Sequence, residues 1–287
     1  MYNKYILVLL CLAAAANIFA QSPWTKNKRE GYIQLGYNGI LPTNVMFYNN
    51  TNIKYTNRKV FDNNIQFYGE YGLIPNLTIM AVANAKYVAT GEVVAVATGL
   101  TPEERPPALV LADGKKIGLG NSYLGGKYQF YGKGVAISAN FMAMLPSSKA
   151  DTVTALATGF NCYGFAPSLS VGATGGKYYF YVNGGMNFRT AKFSHEVAFT
   201  AEYGYKIKKM YLILNVHSQY NLNNRPAPEF LHTGLGVNRQ NYIAIGLKAF
   251  IPVSENIGVN LSVFGAVAGN NVQAAPSFGG SVFYKWN

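Results

Sequence analysis

Glu196-Val197-Ala198-Phe199-Thr200-Ala201-Glu202-Tyr203-Gly204-Tyr205-Lys206-Ile207 is the stretch on which the fold turns. Val197, Phe199, Ala201, Tyr203, Tyr205 and Ile207 share one parity, and Glu196, Ala198, Thr200, Glu202, Gly204 and Lys206 share the other. A period of two is the signature of a strand whose faces meet different surroundings. The apolar face is rich in rings and free of charge. The polar face holds all the charge, yet it is thinned by Ala, Thr and Gly. A soluble sandwich would carry dense charge on its wet face. A sparse polar face suits a crowded, hydrated lumen, with the apolar face in lipid, where a Lys or Arg at the midplane costs about 2–4 kcal/mol.

The pattern extends outward from this segment. Met210, Leu212, Leu214 and Val216 oppose Tyr211, Asn215, His217 and Gln219 in the next strand, and Val135, Ile137, Ala139, Phe141, Ala143 and Leu145 oppose Ser138, Asn140 and Met142 in an earlier one. Twelve such strands are expected: Gly31–Ile40, Asn63–Leu73, Leu77–Ala89, Asn121–Gly132, Val135–Leu145, Pro167–Gly176, Tyr179–Arg189, Glu196–Ile207, Met210–Asn221, Tyr242–Val253, Gly258–Ala268 and Phe278–Asn287. Each is near the length that crosses a bilayer at a tilt, about 9–11 residues. Short connections, Ile74-Pro75-Asn76, Lys133-Gly134, Lys208-Lys209 and Ser254–Ile257, alternate with long ones near 41–62, 90–120, 146–166, 222–241 and 269–277. Short periplasmic turns and longer external loops are the layout of a membrane barrel. The expected fold is therefore all-β: a closed antiparallel transmembrane barrel of about twelve strands over residues 31–287.

The composition agrees. Charged residues are 13% of the chain, against about 25% in an ordinary soluble domain. Aromatics are 14%, with 22 tyrosines. Outward rings gather in two girdles, Tyr71, Phe130, Phe180, Tyr205 and Trp286 at one edge and Tyr37, Tyr87, Phe188 and Tyr220 at the other, where amphipathic rings meet headgroups. Residues 1–20 read as an export signal: Lys4, an apolar run from Ile6 to Ala16, and a cleavage point at Ala20-Gln21. Cys11 lies within that run, but Val8-Leu9-Leu10 before it lack the small residues of a lipoprotein site. Loss of Lys4 with the signal lowers the formal charge from +12 to +11 and leaves Cys162 as the only cysteine. Residues 21–30 then form a short periplasmic segment. The aromatic-rich end strand is what outer-membrane proteins present to their assembly machinery, although Asn287 takes the place of the usual final aromatic.

Two segments carry a family likeness. One is Glu70-Tyr71-Gly72-Leu73 followed by Leu77-Thr78. The other is Gly118-Leu119-Gly120-Asn121 with Leu124-Gly125-Gly126-Lys127-Tyr128, and Val135 to Pro146 after the next turn. Over residues 60–190 the chain resembles the outer-membrane barrels of the MetA-pathway of phenol degradation family, which are similar to long-chain fatty-acid transporter barrels. The resemblance implies passage of small hydrophobic or aromatic compounds. Fatty-acid transporters carry an N-terminal plug, whereas residues 21–30 are too short for a plug domain.

The candidate functional residues are those facing the lumen. Glu70, Lys86, Lys127, Arg189, Glu196, Glu202, Lys206, Lys248 and Lys285 all fall on polar faces, and Tyr211 and His217 share one with Asn215. The nine charges sum to +3. Across the connection 190–195, pairing Phe188 with Val197 would set Arg189 opposite Glu196. No carboxylate suggests itself for Lys86, Lys127, Lys248 or Lys285, so a weak anion preference is expected of an open pore. Tyr68, Tyr123, Tyr131, Tyr179, Tyr181, Tyr211, Tyr242, Phe250, Phe264 and Phe283 also point inward. Catalysis is not expected. His217 and Ser218 are adjacent in a strand and face opposite sides, and Ser194-His195 lies in a turn without a third partner. No cofactor, metal or nucleic-acid motif is present. The expected partners are outer-membrane lipid, lipopolysaccharide at Lys54, Arg58 and Lys59 in the first long connection, and an unidentified small solute. The alternative to a channel is a non-transporting structural or adhesive barrel.

Overall fold

The computed structural model describes residues 22–91, 93–95, 109–111, 113–151, 154, 156–222 and 238–287. The export signal and most of the loop at 222–241 lie outside the described residues. Twelve antiparallel strands form the wall: β1 (Gly31–Asn49), β2 (Asn52–Ile74), β3 (Leu77–Thr90), β4 (Ser122–Lys133), β5 (Val135–Leu145), β6 (Gly164–Gly175), β7 (Tyr178–Arg189), β8 (Glu196–Ile207), β9 (Met210–Asn221), β10 (Asn241–Pro252), β11 (Ile257–Asn270) and β12 (Ser277–Trp286). Each pairs with its sequence neighbours. The sheet closes because β1 pairs β2 on one side, Gly31 opposite Tyr71, and β12 on the other, Gly31 opposite Trp286. Closure removes every free edge, the condition for a sheet to sit in lipid.

Local chemistry sets the turns. Asn76, Gly134, Gly176 and Lys208 have φ of 66°, 76°, 60° and 56°, the left-handed region that tight hairpin loops require. Gly176 settles the junction near Lys177 as two strands rather than one. The short turns and both ends of the described wall gather at one end of the barrel. The long connections gather at the other.

The apolar parity of each strand faces outward and stays exposed: Leu35 is 59% accessible, Leu169 58% and Leu247 55%. Such a band around a whole molecule is untenable in water and is what lipid requires. The opposite parity is buried although polar. Thr78, Lys127, Ser138 and Ser170 are all at 0%.

Three expectations need correction. The connection at 41–62 is not a loop: β1 and β2 run on through it, with bulges near Thr43 and Val45. Pairing of the backbone outlasts the apolar alternation once the ribbon leaves the bilayer. The connection near 90–120 is not all loop, because Gly114–Leu119 within it pairs with the far end of β3, Lys116 opposite Val88. Tyr131 faces outward, at 48% exposure. A bulge between Gln129 and Tyr131 sets Tyr131 opposite outward Ile137, and one extra residue flips the parity of everything beyond it.

Candidate functional site

The lumen is divided lengthwise. On the side of β3 to β6 it holds a packed apolar core of Met80, Val82, Tyr123, Met142, Met144, Cys162, Ala166 and Phe193, with Phe160 against it. The connection between β5 and β6 folds inward to complete this core with Ala157, Phe160 and Cys162, while Leu156 packs with Val60 and Val88 and Thr158 is fully buried. It is pinned by Thr158 Oγ1 donating to Leu119 O (2.7 Å), Phe160 N–H to Asn121 Oδ1 (2.7 Å) and Ser147 Oγ to Gly120 O (2.6 Å). Burial pushes the Cys162 thiol up to about 11. Phe160 and Phe193 meet edge to face at 4.9 Å, and the Arg189 guanidinium lies 4.2 Å over the Phe160 ring.

Arg189 reaches Glu196, as expected, but by another route. The register sets Asn187 opposite Glu196, and the long Arg189 side chain bends back to the carboxylate. Its Nε donates to Ser194 O, and its backbone N–H donates to His195 Nδ1 at 3.2 Å. Ser194 and His195 are thereby occupied in holding the turn. His217 is buried and bonds Thr200 Oγ1 at 2.9 Å, not Ser218.

On the side of β1, β2 and β8 to β12 a cavity of about 440 Å³ remains. Glu70, Glu202, His217 and Lys248 border it. Its charges are matched. Glu202 takes Lys248 Nζ at 2.7 Å, Tyr179 OH at 2.8 Å and Asn215 Nδ2 at 3.2 Å. Glu70 takes Tyr68 OH at 2.6 Å and Lys127 Nζ at 3.2 Å. Higher up the wall, Lys86 meets Asp62 at 2.7 Å. The expectation of unmatched lysines was therefore wrong for Lys86, Lys127 and Lys248. Asp62 went unseen because it lies in the hairpin extension read as loop. Glu70 and Glu202 border one cavity because the sheet closes, which sequence separation conceals. Lys206 and Lys285 stand exposed at the short-turn rim, Lys206 5.9 Å from the Tyr211 ring.

A chain of ring contacts circles the short-turn end of this cavity. Tyr68 meets Tyr32 (6.1 Å between centroids), Tyr32 stacks on Phe283 (5.5 Å), Phe283 on Phe250 (4.5 Å), Phe250 meets Tyr211 (6.4 Å) and Tyr211 meets Tyr179 (5.8 Å). Tyr32 was missed as a lumen residue, although the parity of β1 carries it. Trp24 closes the chain, edge-on to Tyr179 at 6.0 Å and Tyr181 at 6.2 Å.

Trp24 does not come from the wall. Ser22–Glu30, expected as a short periplasmic segment, enters the lumen as a strap. Ser22 O accepts from Lys127 Nζ (3.0 Å), Thr25 N–H and Oγ1 both reach Gln129 Oε1 (3.1 Å), and Lys26 N–H donates to Thr78 Oγ1 (2.8 Å). Lys26 Nζ lies 3.6 Å from Glu70. A Cβ on Gly72 would coincide with the Asn27 carbonyl, and one on Gly172 would come within 2.8 Å of Pro23 Cγ. At the rim, two hydrogen bonds from Asn27 hold the Glu30 carboxyl below the usual carboxylate range.

The family model for the MetA-pathway of phenol degradation matches residues 47–280. Among solved structures, an outer-membrane channel from Pseudomonas putida F1 is similar with a TM-score of 0.66 at 12% identity, covering 94% of this chain and 100% of that one. At that identity the likeness speaks for the fold alone. The CymD monoaromatic hydrocarbon channel (TM-score 0.45, 10% identity, 90% and 88% covered) and the Pseudomonas putida toluene transporter TodX (0.46, 9%, 89% and 89%) lie further off, too distant to carry an argument. No curated protein sequence matches significantly.

Proposed function

The chain belongs to the MetA-pathway of phenol degradation family, and from that premise we propose that it is an outer-membrane channel for small aromatic or hydrophobic solutes. The observation that carries this reading is the ring chain, Tyr68-Tyr32-Phe283-Phe250-Tyr211-Tyr179, beside a cavity whose carboxylates are each matched by a lysine. Neutralised charge removes the penalty for an uncharged solute displacing water. Rings favour offset or edge contacts with another ring by about 0.5–1.5 kcal/mol per pair. A volume of about 440 Å³ falls within the usual range of small-molecule sites. Exposed Lys59 supports contact with lipopolysaccharide phosphates. The aromatic β12 supports engagement of the assembly machinery.

Swelling of liposomes loaded with the purified protein tests the channel. A polar aromatic such as 4-hydroxybenzyl alcohol should enter faster than arabinose. The packed loop at one end and the strap at the other favour a second reading, a non-transporting structural or adhesive barrel. Absence of both swelling and conductance with every small solute tested would favour that reading over the channel.

A further inference from the structure

We propose that the aromatic seat filled by Trp24 is itself a solute-binding subsite, and that Trp24 is a placeholder which the ring of an incoming aromatic solute displaces. The inference rests on the channel reading and adds to it the position where the ring binds and the residue that yields.

The strap is less buried than the packed connection opposite it. Between Ser22 and Lys28 its hydrogen bonds to the wall end on side chains: Lys127, Gln129 and Thr78. Backbone pairing begins only where Arg29 donates to Gly72 O and Gly72 donates to Glu30 O. Arg29 has a φ of 73°, so the strap swings from a tight turn at the rim. Pro23 is buried, but Ser22, Trp24, Thr25 and Lys26 are only half-buried. The packed connection across the lumen, with Leu156 and Thr158 fully buried, has no such latitude. Segments with few buried contacts open at the lowest free energy.

The seat is built for a ring. Tyr181 is at 1% exposure, so one side is rigid. Tyr179 is held by its hydroxyl on Glu202. Their contacts with Trp24 are at interplanar angles of 90° and 89°, the edge-to-face arrangement any planar aromatic can adopt. Ser22 and Lys26 border the cavity, so the strap is its floor. A ring that takes the seat lifts that floor and opens the cavity toward the rim. The ligand class is a single aromatic ring without net charge, because Glu70 and Glu202 are already matched by cations.

The chain has two tryptophans, Trp24 and Trp286, so Trp286→Phe leaves Trp24 as sole reporter in the full-length protein. Titration with 4-hydroxybenzyl alcohol in detergent should shift Trp24 emission to the red, saturably, and raise its quenching by acrylamide. Arabinose should do neither. In liposomes Trp24→Ala should raise 4-hydroxybenzyl alcohol entry several-fold and abolish its saturation, whereas Trp24→Phe should restore both. Entry of the alcohol with Trp24 emission unmoved would overturn the placeholder role and leave the channel standing. So would equal behaviour of the Ala and Phe variants. No entry of any solute, with emission still shifting, would leave the seat as a binding site and defeat the channel.

Discussion

The two sides of the lumen solve the same problem in opposite ways. Both begin from inward-facing positions of an alternating sheet. Beside β3 to β6 those positions hold Met80, Val82, Met142 and Met144, and a folded-in loop brings Ala157 and Phe160 to meet them. Beside β8 to β12 they hold Glu202, Asn215, His217 and Lys248, and no loop covers them among the described residues. The first side excludes water and becomes a core. The second keeps its groups hydrogen-bonded around open space. One barrel thus carries a packed core and an open cavity side by side, and stability and the proposed conduction fall to different strands.

Mutations should separate the sides. The largest loss is expected from Arg189→Ala, which strands Glu196 in the packed half. Removing one partner of a buried pair costs about 3–5 kcal/mol, seen as a lower unfolding temperature in micelles. An unchanged midpoint would mean that this half is wetter than its packing indicates. Met142→Ala should follow, at about 2–5 kcal/mol for a cavity left in a core, measured by urea unfolding. Gln34→Ala, on the open side, loses bonds from Tyr32 OH and Asn260 Nδ2 and should cost only about 1 kcal/mol. A Gln34 loss as large as that of Met142 would abolish the distinction.

Smaller effects sharpen it. Among the described residues, interior ion pairs join five cations to four carboxylates, so a wild-type pore should discriminate little by sign. That replaces the weak anion preference expected from unmatched lysines. Glu202→Gln frees Lys248 and should move the reversal potential toward anions, because fixed charge in a narrow pore repels like ions. The same exchange at Glu196, away from the open side, should move it little. Smallest of all is the response of Cys162. Its thiol is buried and pushed up to about 11, so at neutral pH almost none is thiolate. Maleimide should label it only after unfolding, and labelling of the folded barrel would show that the packed side breathes.

The sequence by itself determined the wall. Strict parity in segments such as Glu196–Ile207, with every charge on one face, leaves only an inside-out closed sheet, because lipid penalises a misplaced charge by kilocalories and the pleat of an unbulged strand alternates. It also put Lys86, Lys127 and Lys248 inside. It could not match them with Asp62, Glu70 and Glu202, because Asp62 lies in the hairpin extension read as loop, Lys127 on β4 reaches Glu70 on β2 across β3, and Lys248 on β10 reaches Glu202 on β8 across β9. Nor did it place Tyr131, where one bulged residue reverses the parity. What fills the lumen was decided only in three dimensions. The strap from Ser22 to Glu30 and the loop around Leu156 have no periodicity to read. Their positions depend on contacts between residues as distant as Thr25 and Gln129, which exist only once the barrel has closed around them.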